Sequence, residues 1–452
     1  IWVEPTVVVT VAPDQDTICD GDNVSLQLTS ISRPTRQVRF RYDVLAPGTV
    51  TVTTGQDTDL APGFEIEDQI DNPTDSAQLV RFVITPYTRN SGDDGEKCTG
   101  VNDTAYVWVE PTPRVVGVPQ VDTLCNEETT NITFTSPTRP TRWMEFNIEA
   151  IADDPSSVSG YSDVFNYRTD SVLAQRLTND SDLKQRIRYI LTPYNINAAG
   201  SQNCEGIRDT VTIWLEPTAK VTGVPQEDTL CNEGTTNITF TSPTAPTRWM
   251  EFNITAIADH PGSISGYSDE TGNRTDSILT QTQTNTSDTA TRVSYVLTPY
   301  NINSQGNQDC MGIRDTVTIW VEPTARITGI PQVDTLCNFE TTNITFSSPT
   351  VPTRWMEFNI QAIPDHPTSV SGYGDLTGYR PDSVLAQTLT NLSDTAQRIR
   401  YILTPYNINA GGSQDCQGVR DTVTIWLEPT ARVTGVPQVD TICDLDDAIV
   451  TF

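Results

Sequence analysis

The sequence predicts an all-β chain of tandem β-sandwich modules arranged as a rod. Landmark residues recur every 106 positions, and a fixed period of this kind is the signature of repeated structural units. Each period contains several short segments of alternating apolar and polar residues, separated by turn residues, as β-strands do. Long runs of Ala, Leu, Glu and Lys, which helices favour, are missing.

The landmarks are one cysteine, one tryptophan and the tripeptide Glu-Pro-Thr per period. The cysteines are Cys19, Cys125, Cys231, Cys337 and Cys443, the tryptophans are Trp2, Trp108, Trp214, Trp320 and Trp426, and the tripeptide first occurs at Glu4. This spacing predicts the end of a preceding repeat (1–6), a diverged repeat 1 (7–111), repeats 2, 3 and 4 (112–217, 218–323 and 324–429), and the start of a following repeat (430–452).

Repeat 2 illustrates the strands that the pattern predicts. Alternation places Met144, Phe146 and Ile148 on one face of a strand over 143–151. The other predicted strands are 115–125, 130–136, 156–162, 171–178, 185–194 and 209–217, with Ile187, Tyr189, Leu191, Val211, Ile213 and Leu215 facing inward. About seven strands in a module of this length favour an immunoglobulin-like sandwich.

Glu-Pro-Thr joins one repeat to the next with no Gly/Ser spacer. Pro217 holds its own φ angle and restricts Glu216. We therefore expect stiff joints and a rod on the order of 150 Å long.

Two cysteines 79 residues apart occur in each full repeat: Cys19 and Cys98, Cys125 and Cys204, Cys231 and Cys310, Cys337 and Cys416. Regular pairs indicate disulfides and an oxidising, extracellular compartment. The favoured interpretation pairs the cysteines within each repeat. The rival pairing joins Cys125 to Cys310 of the next repeat, because the A–B and F–G turns of an idealised seven-stranded sandwich lie at opposite poles.

Composition argues against several classes of function. The net charge of −30 disfavours nucleic acids and anionic membranes as partners, and no apolar stretch predicts membrane insertion. The only histidines, His260 and His366, belong to no catalytic or metal-binding motif, so we predict no enzyme activity, no metal and no cofactor. The acidic runs at Asp20–Asp22 and Asp153–Asp154 lack the closing Glu of a calcium loop and are interpreted as solvated turns.

Tryptophans mark a candidate contact face. Trp143 and Trp214 are predicted to point outward from strands C and G, with Arg186 and Arg188 of strand F between them as a ladder. Local stacking of guanidinium on indole is one interpretation, and a surface for other copies or for sugar rings is the other. The candidate residues are Trp143, Trp214, Trp249, Trp320, Trp355 and Trp426.

Several segments in a fixed order carry a family resemblance. TLCNEETTNITF (123–134), VLAQRLTN (172–179), RYILTPY (188–194) and DTVTIWLEPT (209–218) resemble the PKD-like, immunoglobulin-like repeats of giant Bacteroidota surface proteins, including gliding-motility adhesins. The resemblance implies type IX secretion, cell-surface display and cell adhesion.

The same phylum attaches O-glycans to Asp-Ser/Thr followed by a small or apolar residue. Candidate sites are Thr104, Thr123, Ser171, Thr210, Ser277, Thr316, Ser383 and Thr422. The alternative is that Asp simply serves as a turn residue before a strand.

These observations predict a structural or adhesive segment of a secreted surface protein, forming a stiff stalk or filament for attachment. Its expected partners are copies of itself. The alternative is a glycan-binding array that uses the outward tryptophans on host, prey or substratum glycans.

Overall fold

The computed structural model of the chain describes residues 1, 3–89, 92, 95–433, 441, 447 and 449. All regular secondary structure in these residues is β, which confirms the predicted fold class of tandem immunoglobulin-like β-sandwiches. No helix among them is long and apolar enough to cross a membrane. The predictions for Trp2, Cys443 and most of 430–452 fall outside the described residues.

Strands of the first two repeats follow one order. Repeat 1 contains β1 (Thr10–Ala12), β2 (Gln15–Ile18), β3 (Leu26–Thr29), β4 (Val38–Leu45), β5 (Thr51–Val52), β6 (Gln56–Leu60), β7 (Glu65–Ile66), β8 (Ile70–Asp71), β9 (Gln78–Arg89), β10 (Glu96–Thr99) and β11 (Asp103–Val109). Repeat 2 contains β12 (Val116–Val118), β13 (Val121–Leu124), β14 (Ile132–Thr135), β15 (Met144–Ala152), β16 (Val158–Ser159), β17 (Val164–Tyr167), β18 (Val172–Leu173), β19 (Thr178–Asn179), β20 (Gln185–Ile196), β21 (Gln202–Glu205) and β22 (Asp209–Leu215).

The next two repeats show the same order. Repeat 3 contains β23 (Thr222–Val224), β24 (Glu227–Leu230), β25 (Ile238–Thr241), β26 (Met250–Ala258), β27 (Ile264–Ser265), β28 (Glu270–Asn273), β29 (Ile278–Leu279), β30 (Thr284–Asn285), β31 (Thr291–Ile302), β32 (Gln308–Met311) and β33 (Asp315–Val321). Repeat 4 contains β34 (Thr328–Ile330), β35 (Val333–Leu336), β36 (Ile344–Ser347), β37 (Met356–Pro364), β38 (Val370–Ser371), β39 (Leu376–Tyr379), β40 (Val384–Leu385), β41 (Thr390–Asn391), β42 (Gln397–Ile408), β43 (Gln414–Gln417) and β44 (Asp421–Leu427).

Each sandwich draws its strands from one repeat. In repeat 2, a three-stranded sheet has the order β12-β14-β18, and a six-stranded sheet has the order β13-β22-β20-β15-β17 with β21 beside β20. β13 runs parallel to β22, and β20 is antiparallel to both β15 and β22. The same two sheets recur in the other repeats.

The core of repeat 2 lies between these two sheets. Phe134 of the smaller sheet packs against Phe146 of the larger one, with ring centroids 4.7 Å apart. The predicted inward faces are confirmed, because Met144, Phe146, Ile148, Ile187, Tyr189, Leu191, Val211, Ile213 and Leu215 are all buried. Fully burying one large apolar side chain stabilises a fold by about 1.5–3 kcal/mol, so this alternation accounts for the positions of the long strands.

The prediction of one first strand over 115–125 is wrong. The segment forms β12 in the small sheet and β13 in the large sheet, with Pro119 between them. Proline has no N–H to donate to a ladder, so the strand ends there and the chain changes sheet. The predicted strands over 156–162 and 171–178 are also shorter, as β16, β18 and β19, and β17 lies between them.

The chain forms two compact units. The first contains residues 1–219, 244–249 and 301–310, and the second contains 220–243, 250–300 and 311–452. The joint between repeats 1 and 2 lies in the first unit. The joint between repeats 3 and 4 lies in the second.

Candidate functional site

The most regular polar chemistry of the chain lies where one repeat follows another. Glu216, in the tripeptide after β22, is only 3% exposed. Its carboxylate accepts hydrogen bonds from the backbone N–H of Thr247, at 3.2 and 3.0 Å. Thr247 lies in the Pro-marked turn of repeat 3, so the linker of one repeat holds a turn of the next. The equivalent pairs are Glu4–Thr35, Glu110–Thr141 and Glu322–Thr353.

Two of these linker glutamates, Glu322 and Glu4, have pKa values shifted in opposite directions. Burial raises the pKa of Glu322, and the hydrogen bonds from Thr353 only partly oppose that effect. Glu4 is only half-buried, and the hydrogen bonds from Thr35 lower the pKa of its carboxyl. The same contact is therefore made by a fully buried carboxyl at Glu322 and by a less buried one at Glu4.

A buried asparagine adds a second hydrogen bond to the three joints that follow Glu110, Glu216 and Glu322. The side-chain amide of Asn301, which is 1% exposed, donates from Nδ2 to the carbonyl oxygen of Pro217 at 2.7 Å. The equivalent pairs are Asn195–Pro111 and Asn407–Pro323, both at 2.8 Å. Because Pro217 follows Glu216 directly, consecutive linker residues both bond the next repeat.

Disulfides cross the joints, and the favoured pairing within each repeat is wrong. The bonds are Cys19–Cys204, Cys125–Cys310 and Cys231–Cys416, each with a sequence separation of 185. The rival pairing is therefore the observed one.

The strand register explains this pairing. Leu124, next to Cys125, lies opposite Leu215, which lies opposite Gln185 at the start of β20. The strand that carries Cys204 pairs with the far end of β20, near Ile196. The length of β20 separates the two cysteines of one repeat by about 35 Å, far beyond the roughly 5–6 Å between the Cα atoms of a disulfide.

Cys98 and Cys337 are exposed free thiols, so their assignment to disulfides is also corrected.

Two covalent connections therefore cross the joint after repeat 2. Because β13 is parallel to β22, Cys125 and the tripeptide that begins at Glu216 leave the sandwich at the same end. The peptide continues into repeat 3, and the disulfide to Cys310 forms a second link beside it.

The tryptophans make local cation–π contacts. The Arg168 guanidinium lies 5.2 Å from the centroid of the Trp143 ring, and Trp143 Nε1 donates to Glu145 Oε1 at 2.9 Å. Lys184 and Arg186 lie 5.2 and 5.7 Å from the ring of Trp214. Such contacts stabilise exposed side chains by about 0.5–1 kcal/mol.

The predicted Trp–Arg–Trp ladder within one repeat is wrong. Arg186 faces Trp214 at the start of β20, whereas Trp143 precedes Met144, which faces Asn195 at the end of β20. Because strands C and F are antiparallel, the two tryptophans lie at opposite ends of the sheet. The contact face itself remains a prediction: Trp143 and Trp426 are exposed, and Trp214, Trp249, Trp320 and Trp355 are half-buried.

A groove in each unit lies beside a joint. In the second unit, Trp320 and Asp228 of repeat 3 face Arg354, Asn409 and Asp415 of repeat 4 across a groove of about 760 Å³. In the first unit, a groove of about 370 Å³ is lined by Asp122, Asn303 and Asp309, which are equivalent to Asp228, Asn409 and Asp415, and also by Glu216. Both grooves are polar and acidic.

The carboxylates considered for calcium already accept hydrogen bonds or ion pairs from the protein. Asp22 accepts from the N–H of Cys19, Asp153 pairs with Arg186 at 2.8 Å, and hydrogen bonds from Ser156 and Ser157 lower the pKa of Asp154. The Cys–Asp–Cys groups at Asp309 and Asp415 contain disulfide sulfurs, and a metal would require thiolates. His366 Nδ1 lies 3.0 Å from Gln397 Oε1.

The O-glycosylation candidates fall into two groups. Thr123, Thr210, Thr316 and Thr422 are exposed, whereas Thr104, Ser171, Ser277 and Ser383 are half-buried. The preceding aspartate has a structural role in at least one motif, because Asp209 Oδ2 accepts from Gly117 N–H at 3.0 Å and from Gln120 Nε2 at 2.8 Å. Modification at these positions remains a prediction.

Sequence reasoning missed the linker glutamates and the asparagines that bond the linker. Their recurrence every 106 residues was visible, but nothing in the local pattern distinguishes a buried glutamate from a solvated one. The burial arises from the turn of the next repeat.

Comparisons with known proteins give low similarity throughout. No family model matches the chain, and no curated protein matches it. The similar solved structures include the human desmocollin-1 ectodomain (12% identity, TM-score 0.27, 99% of this chain and 84% of that chain). They also include the eight N-terminal Ig domains of Down syndrome cell adhesion molecule isoform 1.30.30 (11%, 0.32, 94% and 50%) and the FN1–FN3 domains of chicken CNTN1 (11%, 0.22, 70% and 98%).

Proposed function

We propose that this chain is a structural, adhesive segment of an extracellular surface protein, acting as a stiff stalk or filament rather than as an enzyme. The observation that carries the proposal is the joint. At the joint after repeat 2, a disulfide, a buried linker glutamate and a buried asparagine supplement the peptide connection. Such joints suit a chain whose purpose is to hold its ends at a fixed distance.

The joint disulfides and the family resemblance support location on the cell surface. Three disulfides between partly accessible cysteines are stable in oxidising compartments and rare in a reducing cytosol. The resemblance to gliding-motility adhesins supports type IX secretion and a Bacteroidota source. Protease shaving of intact native cells tests this location, and protection of the chain from protease would contradict it.

Stiffness is tested by electron microscopy of the purified chain. The parent should give extended particles with a narrow distribution of end-to-end distances. Cys125→Ser/Cys310→Ser with Glu216→Ala should broaden that distribution, because only the peptide and the asparagine would still hold the joint. Cys98→Ser/Cys337→Ser is the matched control, since neither cysteine is bonded. Compact or equally variable parent particles would overturn the stalk proposal.

Association with copies of itself is the second element of the proposal. Equivalent surfaces every 106 residues let two parallel copies make the same weak contact several times, which raises avidity. Sedimentation velocity should show reversible association that weakens in Trp143→Ala/Trp249→Ala/Trp355→Ala. A monomer at high micromolar concentration would argue against bundling.

A glycan-binding array is the alternative, and the groove at Trp320 favours it. An indole face can pack against the apolar face of a sugar ring, while Asp228, Asn409 and Asp415 offer acceptors and donors for sugar hydroxyls. Glycan-array binding that is lost in Trp320→Ala would favour this function. Absence of binding to any glycan on the array would leave the stalk as the better account.

A further inference from the structure

The three disulfide loops overlap along the chain. Cys19–Cys204, Cys125–Cys310 and Cys231–Cys416 each span 185 residues, and each loop begins before the preceding one ends. Residues 125–204 lie in the first two loops, and residues 231–310 lie in the second and third. From 19 to 416, every residue lies inside at least one loop.

We propose that this connectivity makes the chain a tension-bearing tether of limited extension. A covalent route runs from residue 1 to Cys19, across to Cys204, along the backbone to Cys231, across to Cys416 and on to residue 452. This route contains only about 80 residues of backbone. At roughly 3.5 Å per residue it can extend to about 280 Å, whereas the whole chain could extend to about 1,600 Å.

The physical consequence concerns unfolding under load. A pulled module normally lengthens by unfolding, because its stability is only about 5–15 kcal/mol. Here, unfolding any residue between Cys19 and Cys204 adds nothing to the distance between the chain ends, because the disulfide carries the load past it. The same holds between Cys231 and Cys416.

The central peptide of the route is itself well anchored. Residues 204–231 include β22, which pairs with β13 on one side and with β20 on the other. The load therefore crosses repeat 2 through a strand that has hydrogen-bonded neighbours on both edges. This function does not depend on adhesion, on glycan binding or on a straight particle.

The connectivity also predicts that removing the middle disulfide and removing an outer disulfide have different effects on the length of the covalent route. The route uses the two outer disulfides and bypasses Cys125–Cys310. Removing the middle disulfide should leave the route at about 80 residues. Removing Cys231–Cys416 forces the route back through the middle disulfide and raises it to about 240 residues, a threefold increase.

The experiment is single-molecule force spectroscopy with handles at both ends of the full chain. The parent is compared with Cys231→Ser/Cys416→Ser and with Cys125→Ser/Cys310→Ser. Each variant removes one disulfide that spans the same 185 residues, so the two are matched in chemistry and in loop size. Every protein, including the parent, also carries Cys98→Ser, Cys337→Ser and Cys443→Ser to prevent exchange. Peptide mapping without reductant verifies the remaining pairs.

We expect the parent and the Cys125→Ser/Cys310→Ser variant to reach the same short maximum length. The Cys231→Ser/Cys416→Ser variant should reach about three times that length. Reductant should allow all three proteins to extend to the full length of the chain. The maximum length depends only on covalent connectivity, so a variant that folds poorly still gives a valid result. Parent molecules that lengthen module by module without reductant would overturn the proposal, as would equal lengths for the two variants. Particle shape in the microscope is a separate readout, so the stalk proposal can fail independently.

Discussion

At the scale of single residues, the linker glutamate has a pKa that is raised in one repeat and lowered in another. Glu322 is 2% exposed and has a raised pKa because burial disfavours its charge. Glu4 makes the same contact but is only half-buried, and it has a lowered pKa because Thr35 donates to the carboxylate. The difference in burial between these two positions accounts for the opposite directions of their pKa shifts.

This difference predicts a pH dependence with opposite signs. A carboxyl with a raised folded-state pKa contributes stability that is fully present below its unfolded value of 4.5 and is lost as pH rises through the raised pKa. Glu322→Gln should therefore cost more stability near pH 4 than at pH 7. Guanidinium denaturation followed by tryptophan fluorescence measures the difference between parent and variant at each pH.

Glu4→Gln is the matched control. Its lowered pKa contributes stability above pH 4.5 that is lost on acidification, so the cost of the substitution should shrink at low pH. If the stability lost on substitution depended on pH in the same way for both variants, burial at the joint would not be what shifts the pKa of the Glu322 carboxyl.

At the scale of elements, the short first strand of each repeat is held close to its last strand, as β23 is to β33 in repeat 3. Gly223 of β23 lies so close to β33 that a Cβ would lie 2.3 Å from Val317 Cγ2. Gly117 and Gly329 meet Val211 and Val423 at the same distance. Glycine, which has no side chain, allows the first strand of the repeat to pack directly against the core valine of the last strand.

Gly223→Ala should destabilise repeat 3 by about 1–3 kcal/mol, because the added methyl overpacks a filled site. Val317→Ala in the same chain should recover part of the loss by making room for it. Gly262→Ala is the control, since a Cβ there meets nothing within 4 Å. Thermal unfolding measures all three, and a neutral Gly223→Ala would contradict this account.

The Asp-Thr-Val segment at the start of β33 gives a second prediction about stability at this scale. Asp315 Oδ2 accepts from Gly223 N–H at 3.0 Å and from Gln226 Nε2 at 2.8 Å, while Thr316 is exposed. Asp315→Ala should cost about 1–3 kcal/mol by leaving these donors unpaired. Thr316→Ala should change stability little in protein that carries no glycan.

Comparing Asp315→Ala with Thr316→Ala distinguishes a structural role of the Asp-Thr motif from a role as a glycosylation site. If intact mass shows extra hexose in native protein and Thr316→Ala reduces it, the motif serves both roles. A destabilised Thr316→Ala in unmodified protein would instead give the threonine a structural role.

At the scale of the whole molecule, stability and covalent topology are linked through the overlapping loops. A single 185-residue loop stabilises a fold by about 5 kcal/mol on the chain-entropy model. Overlapping loops constrain some of the same residues, so their effects should sum to less than three independent loops. Reduction should nevertheless lower stability in every repeat that they cross.

Calorimetry with and without a phosphine reductant tests this expectation. The oxidised chain should unfold at a clearly higher temperature than the reduced chain. Cys98→Ser/Cys337→Ser should match the parent, because both cysteines are free. An unchanged transition after complete reduction would mean that the noncovalent joint contacts alone govern stability.

Much of the fold was predictable because its cause is local in sequence. Alternation along 143–151, 185–194 and 209–217 determined strands C, F and G and their inward faces, since side chains on a strand alternate between its two faces. The 106-residue period likewise predicted that the same set of strands recurs, as it does in the residues that the structure describes. Short strands such as β17 were missed because two to four residues carry too little pattern.

The sequence by itself therefore determined what each repeat is, and the tertiary structure decided how repeats are joined. Cys125 lies 79 residues from Cys204 and 185 from Cys310, yet the shorter separation is the impossible one, because β20 holds the two ends of a sandwich apart. The burial of Glu216 and the separation of Trp143 from Trp214 have the same origin. Each depends on which pole of a sandwich a residue occupies, and the antiparallel register of long strands determines that pole.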